Sequence, residues 1–222
     1  MIQLWVADAD SAGFIPRRLL DLLDASETEK LRRFGRVSDR RSYLISRILL
    51  REGLSRLMGG DPRKWKFAID DAGKPRLSEL SATTPVDFNL THSGSAVIAA
   101  VSSSCRIGVD IERIDRPEIP IDVAFTEREI DLLMSEPPEG RWKRTLRLWT
   151  LKEAYAKLLG QGFHLEFSEM DVSSAPRGVH FETHELILES ESYCLAIAAH
   201  SFTGGAGHPD VRFSGSAWLG LP

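Results

Sequence analysis

The segment Leu50-Arg51-Glu52-Gly53-Leu54-Ser55-Arg56-Leu57-Met58-Gly59 aligns without a gap on Leu151-Lys152-Glu153-Ala154-Tyr155-Ala156-Lys157-Leu158-Leu159-Gly160. The basic-acidic pair, the later basic residue and the closing glycine coincide at an offset of 101 residues, nearly half of a 222-residue chain. Each segment reads as the end of a long helix, one from about residue 39 and one from about residue 141, stopped by glycine. Each follows a shorter charged helix, SETEKLRRF or the capped TEREIDLLM, and precedes a strand. Basic-acidic pairs are common on helices, so a chance match is the competing account. The economical reading is an α+β fold of two similar halves in pseudo-twofold arrangement. The join lies near residues 78–86 or just after residue 103, and we place the halves at 1–103 and 104–222. A site between them is then expected.

Composition limits what that site serves. Hydrophobic residues make up 42% and charged residues 27%, enough for a core in each half. A net charge of −4 gives no reason to expect nucleic acid, yet leaves room for an anionic substrate at a local basic cluster. Cys105 and Cys194 sit in apolar strand-like runs and read as buried thiols in a reducing cytosol. The start, MIQLWVADAD, lacks the pattern of a signal peptide, and no run approaches the roughly 18 apolar residues of a membrane helix. A cytoplasmic protein with no membrane partner is expected. The Gly-rich tail from Ser201 is expected to be loosely held.

Several constellations carry chemistry. In Gly108-Val109-Asp110-Ile111-Glu112 the alternation is that of a strand, so Asp110 and Glu112 share one face. Two such carboxylates repel unless a cation lies between them, and hard oxygen ligands favour Mg²⁺ or Ca²⁺ over zinc. A solvated acidic face has the same pattern. In the helix after it, Trp142, Leu146, Trp149 and Glu153 form one stripe, which turns Glu153 inward. A buried carboxylate needs a metal or a partner, and Lys157, one turn further on, is a candidate partner. Thr91-His92-Ser93-Gly94 ends an apolar strand in a turn that can offer imidazole and hydroxyl groups to a phosphate. Gly73-Lys74-Pro75 is a glycine-proline turn that holds a lysine rigidly outward. Lys30, Arg32, Arg33, Arg36, Arg40, Arg41 and Arg47 form a basic cluster able to hold a phosphate or simply to face solvent.

In order along the chain, the basic helix pair, GKP, FNLTHSG, GVDIERI and WTLKEAYAKLLGQG resemble the Sfp-type 4′-phosphopantetheinyl transferases over residues 27 to 200. The resemblance implies two α+β halves with coenzyme A between them, the first half on the nucleotide side and the second carrying the metal and catalytic groups. It implies that Asp110, Glu112 and Glu153 bind Mg²⁺, for which Mn²⁺ can substitute. His92, Lys157 and Asp110 would meet the coenzyme A phosphates, with Thr91 beside them. Lys74 and Pro75 would lie against the nucleotide, and Lys30 and Arg47 near the 3′-phosphate. The implied activity is transfer of the phosphopantetheine arm to a serine of an apo acyl or peptidyl carrier protein, with Glu153, Lys157 and His92 as catalytic groups. The base would be Glu153 or a water it orients at the metal. Carriers of fatty-acid, polyketide and non-ribosomal peptide synthesis all remain open. One chain holds the whole site, so a monomer is expected. A hydrolase of the coenzyme A pyrophosphate, or a non-catalytic module that binds carriers, would use many of the same residues. The loop from Arg113 to Phe125, with Ile114, Ile119 and Ile121, would either dock the carrier or pack under the next helix.

Overall fold

The structure, a computed structural model, describes residues 1–70, 73–78, 85–116, 119–160, 165–203 and 209–215. Two long helices dominate it: α3 (Val37–Met58) and α6 (Pro138–Leu159). Gly160 takes a left-handed φ of 70° after α6, and its N–H closes on the Ala156 carbonyl. Short helices α1 (Arg17–Leu20) and α2 (Ala25–Arg33) precede α3, and α4 (Ile121–Ala124) and α5 (Glu127–Ser135) precede α6. The strands are β1 (Ile2–Asp8), β2 (Phe67–Ile69), β3 (Pro75–Leu77), β4 (Asp87–Ser93), β5 (Ala96–Ser102), β6 (Cys105–Arg113), β7 (Val179–Leu188), β8 (Glu191–Ser201) and β9 (Val211–Gly215). The first sheet runs β4-β5-β1-β9, the second β6-β8-β7, and β2 and β3 form a small ribbon.

Strand alternation sorts the side chains into layers. Trp5 and Ala7 of β1 face α3, with Ile45, Ile48 and Leu49. Ile2 and Leu4 turn the other way and meet Ile107, Val109 and Ile111 of β6 and Leu195 and Ile197 of β8. Ala196 and Ala198 of β8 face α6, with Leu146, Ala154 and Leu158. The order is helix, sheet, sheet, helix, as expected of an α+β fold with two similar halves. The alternation also puts Gly108, Asp110 and Glu112 on the α6 side of β6. A Cβ on Gly108 would lie 2.0 Å from the Ala154 carbonyl oxygen, so glycine there lets the helix backbone rest on the strand.

The repeat extends to a buried ion pair in each half. Asp24 and Thr126 cap α2 and α5 through reciprocal hydrogen bonds with Glu27 and Glu129. Each of these glutamates turns inward and meets the basic residue of the repeated helix segment. Arg51 binds Glu27 at 2.7 Å, and Lys152 binds Glu129 at 2.6 Å. Each cation then donates to two carbonyls of the turn beyond its helix: Arg51 to Pro62 and Trp65, Lys152 to Phe167 and Met170. The sequence reading placed Lys152 merely beside Glu153; in the fold it is wholly buried.

Two further findings concern expectations from the sequence. Ile119 and Phe125 are buried in the core beneath α5 and α6, with Ile114 and Ile121 packed against it, so this loop supports the fold. The tail after Ser201 includes β9, which pairs in parallel with β1 and returns the chain to the first sheet. A five-residue strand with half of its side chains exposed leaves little trace in hydropathy. Both cysteines are free and buried. No helix among the described residues is long and apolar enough to cross a membrane.

Removing one member of a buried ion pair leaves an uncompensated charge, at a cost of about 3–5 kcal/mol. Lys152→Met is therefore expected to lower the unfolding free energy by that order in urea. Lys152→Met with Glu129→Gln should recover much of the loss. Equal losses in the single and double variants would contradict the pairing.

Candidate active site

The site forms where the edge of one sheet meets the edge of the other. β6 presents the N–H groups of Ile107, Val109, Ile111 and Arg113 away from β8. Side chains of every second residue of β4 accept them: Asp87 at 2.8 Å, Asn89 at 3.0 Å, Thr91 at 3.3 Å and Ser93 at 3.2 Å. This ladder fixes β4 against β6, and it sets Thr91 beside Asp110 and Ser93 beside Glu112.

Asp110 is buried. Its Oδ1 accepts from Lys157 Nζ at 2.6 Å and from the Thr91 hydroxyl at 3.0 Å. Lys157 Nζ also reaches the Val109 carbonyl at 3.1 Å. Asp110 Oδ2 is buried and has no hydrogen-bond partner among the described residues. Glu112 accepts from Ser93 at 3.0 Å, from the Trp149 indole at 3.2 Å and from Arg116, whose guanidinium lies over the Trp149 ring. Glu153 faces a cleft of about 380 Å³ lined also by Lys74, Pro75, Asn89, Lys157 and Phe167. Burial, and then the charge of Asp110, push the Glu153 carboxyl above the usual carboxylate range, with Lys157 opposing. Glu112 shifts the same way for the same two reasons, against Arg116. His92 opens on the other side of β4, into a cavity of about 860 Å³ with Asp8, Asp39 and Arg113. Desolvation and then Lys157 hold its imidazole below the ordinary value.

The fold thus brings together Thr91, Asp110, Glu112, Glu153 and Lys157, with His92 within the electrostatic reach of Lys157. Pro75 lines the cleft, as does the stem of Lys74. The Lys74 ammonium points away, to the carbonyls of Ile107 and Lys157 at 3.2 and 3.1 Å. The other two basic residues stand apart from this cluster. Arg47 is buried, bound to Glu27 at 2.6 Å and stacked over Phe67. Lys30 is exposed on α2, its ammonium over the Tyr43 ring. Ser93, Trp149 and Arg116 hold Glu112, a role the sequence reading assigned to none of them. Polar residues at every second position of DFNLTHS were the available sign of a strand whose side chains serve a neighbouring strand.

Three carboxylates face one region and one of their oxygens is buried and unsatisfied, so the chemistry of these hard donors suits a small divalent cation. Asp110 Oδ2, Glu112 and Glu153 are the groups available to hold it. As they stand, no three His, Cys, Asp or Glu side chains among the described residues are gathered closely enough to form a ready-made metal cage. Lys157 and Arg116 occupy part of the acidic surface instead.

Comparison with known proteins identifies the family of the chain. The profile of the 4′-phosphopantetheinyl transferase superfamily matches residues 106–204, and that of a 4′-phosphopantetheinyl transferase N-terminal domain matches residues 16–104. A 4′-phosphopantetheinyl transferase of Nostoc sp., HetI, is 32% identical over 179 residues, 79% of this chain and 75% of the relative. The chain belongs to the 4′-phosphopantetheinyl transferase family. A 4′-phosphopantetheinyl transferase of Bacillus subtilis is 32% identical over 158 residues, 70% of this chain and 68% of the relative. One from the fungus Paxillus involutus is 28% identical over 239 residues, covering 92% and 89%. The two profile matches of this phosphopantetheinyl transferase meet at Cys105, the first residue of β6.

A carboxyl whose folded pKa is raised binds protons more tightly in the folded than in the unfolded protein. Stability then falls as pH rises from the unfolded value through the folded one. In metal-free protein, Glu153→Gln should therefore raise the midpoint of thermal unfolding at pH 7, with the gain shrinking toward pH 4. A midpoint at pH 7 unchanged or lowered by the substitution would show that Glu153 is not under charge stress.

Proposed function

We propose that this phosphopantetheinyl transferase moves the 4′-phosphopantetheine arm of coenzyme A onto a serine of an apo acyl or peptidyl carrier protein, releasing 3′,5′-ADP. The observation that carries the site assignment is the split environment of Asp110. Lys157 and Thr91 hold one of its oxygens, and the other is buried and bare. Family membership supports the reaction, and the cleft beside Glu153 supports the position of the donor.

On this reading Asp110, Glu112 and Glu153 would hold Mg²⁺, or Mn²⁺ in its place, which would supply charge withdrawal from the pyrophosphate of coenzyme A. Lys157 binds the pyrophosphate oxygens and neutralises charge as it develops on the leaving phosphate. Thr91 keeps Asp110 and Lys157 in register. His92, with its lowered pKa, is neutral at pH 7 and serves as a hydrogen-bond donor rather than as a charge. Pro75 and the Lys74 stem wall the nucleotide side. Lys30 and Arg47 are the basic residues proposed for the 3′-phosphate end. Glu153 takes the proton of the incoming serine directly or through a water it orients. The serine oxygen bonds to the β-phosphorus, the bond from that phosphorus to the bridging oxygen breaks, and its electrons leave with 3′,5′-ADP. The half 1–103 supplies the nucleotide wall together with Thr91 and His92, and the half 104–222 supplies the metal-binding carboxylates and Lys157. All of these residues lie on one chain, so a cytoplasmic monomer suffices, acting without nucleic acid or membrane.

The direct test mixes protein, Mg²⁺, coenzyme A and a panel of apo carriers of fatty-acid, polyketide and peptide synthesis, read by intact mass. At least one carrier should gain the arm; binding of coenzyme A with transfer to none would overturn the reading. Asp110→Ala should abolish transfer with the fold retained. Lys157→Ala should lower kcat by about 10²-fold, the usual cost of one transition-state donor. Full activity in either variant would remove that residue from the site.

A further inference from the structure

Lys74 is among the most buried of the chain's lysines. Its ammonium lies between the two halves, beneath the last turn of α6. It donates to the Ile107 carbonyl of β6 at 3.2 Å and to the Lys157 carbonyl of α6 at 3.1 Å, and it stands 3.5 Å from Asp87 Oδ2. Asp87 in turn accepts the Ile107 N–H, the first rung of the β4–β6 ladder. The Lys74 backbone N–H is committed to Asp70 at 2.8 Å. The next carbonyl of the helix, that of Leu158, accepts from Arg106 at 3.0 Å.

A helix ends with carbonyls that have no partner within the helix and with a negative dipole end. Here two cations, Lys74 from the first half and Arg106 from β6, satisfy successive carbonyls in the final turn. That turn carries Lys157, whose own ammonium holds Asp110 and Thr91. Gly108 lets the helix backbone at Ala154 and Leu158 touch β6, so the position of the turn depends on close contact on one side and on the two cations at its end.

We infer that Lys74 is a positioning residue for catalysis: its ammonium clamps the last turn of α6 to β6 and β4, and so sets where Lys157 meets Asp110. Its stem still lines the cleft, but the charged end serves the protein backbone rather than the donor. The inference rests on the role of Lys157 proposed above, and one of its two readouts is independent of transfer.

Lys74→Met keeps the stem and removes the ammonium. It is expected to lower kcat by about tenfold or more while the KM for coenzyme A stays within about threefold. In the same variant, without coenzyme A or carrier, amide exchange at Lys157–Gly160 should quicken by about tenfold while β5 and β8 remain protected. Lys74→Arg, which keeps a cation able to donate to the two carbonyls, should restore protection and most of kcat. A raised KM with kcat and protection intact would make Lys74 a direct ligand of coenzyme A and overturn the assignment. So would a Lys74→Arg variant that is protected yet as slow as Lys74→Met. Should Lys74→Met not fold, Lys74→Arg decides by the same two measurements. If the unaltered protein serves no carrier, the transferase reading fails, and exchange still decides the clamp.

Discussion

The structure depends on the side-chain ladder between β4 and β6. A sheet edge presents N–H groups that must find partners, and a buried edge without them would be costly. Here the partners are not a second backbone but the side chains Asp87, Asn89, Thr91 and Ser93. Two consequences follow from using side chains. The sheets meet edge to edge without merging, so each keeps its own helix and core. The interface is also polar, and its polar atoms are held in strand register. Thr91 and Ser93 then have hydroxyls to spare for Asp110 and Glu112. The seam that joins the halves is the same set of atoms that aims the carboxylates.

Two similar halves do not make two sites, and packing shows why. Ile2 pairs with Ser102 in the first half as Cys105 pairs with Ser201 in the second. A Cβ on Gly53 would strike the Trp5 ring, and one on Gly108 would strike the backbone at Ala154. Gly53 and Ala154 occupy the same place in the repeat, so Trp5 corresponds to Gly108. In the first half the strand supplies bulk and the helix supplies glycine; in the second the exchange is reversed. Two residues on, Ala7 stands where Asp110 stands, and two further, Ala9 where Glu112 stands. Glu52 and Arg56 keep the places of Glu153 and Lys157 but have no strand carboxylates to work with. The first half spends that face on its core, around Trp5, and the second spends it on chemistry.

Much of this was legible in the chain. The ten-residue match located both helices and their glycine stops, because helix length and termination are local properties. Alternation in GVDIE placed Asp110 and Glu112 on one face, and helical spacing put Glu153 and Lys157 a turn apart. Which face met which element was less legible, because it depends on contacts distant in sequence. Arg47 and Lys152 each sit in a run that also suits an exposed helix face. Their burial follows from Glu27 and Glu129, some 20 residues earlier, which local pattern reads simply as capping glutamates. Lys74 in its GKP turn was read as pointing outward for the same reason: the carbonyls that draw it inward lie on β6 and α6. Among the described residues, strand β9 was the element least marked in the sequence, since its pairing with β1 relies on backbone bonds more than on hydrophobic side chains.

The elements differ in what they contribute to the site. Asp110, Glu112 and Glu153 face two cations, Lys157 and Arg116, so the cluster holds an excess of negative charge in a partly buried place. Burial, and then the charge of Asp110, push the Glu112 and Glu153 carboxyls upward, which costs stability near neutral pH. The opposing stability lies elsewhere: in the ion pairs Glu27–Arg51 and Glu129–Lys152, and in the apolar layer between the sheets. These pairs anchor the chain on both sides of the long helices. Lys152 fixes the carbonyls of Phe167 and Met170, and Phe167 lines the cleft together with Pro75. The halves can therefore tolerate a stressed acidic cluster because these ion pairs and the apolar layer lie outside it. Within it, the Asp110 oxygen that Lys157 and Thr91 leave bare is where that surplus charge meets no donor among the described residues.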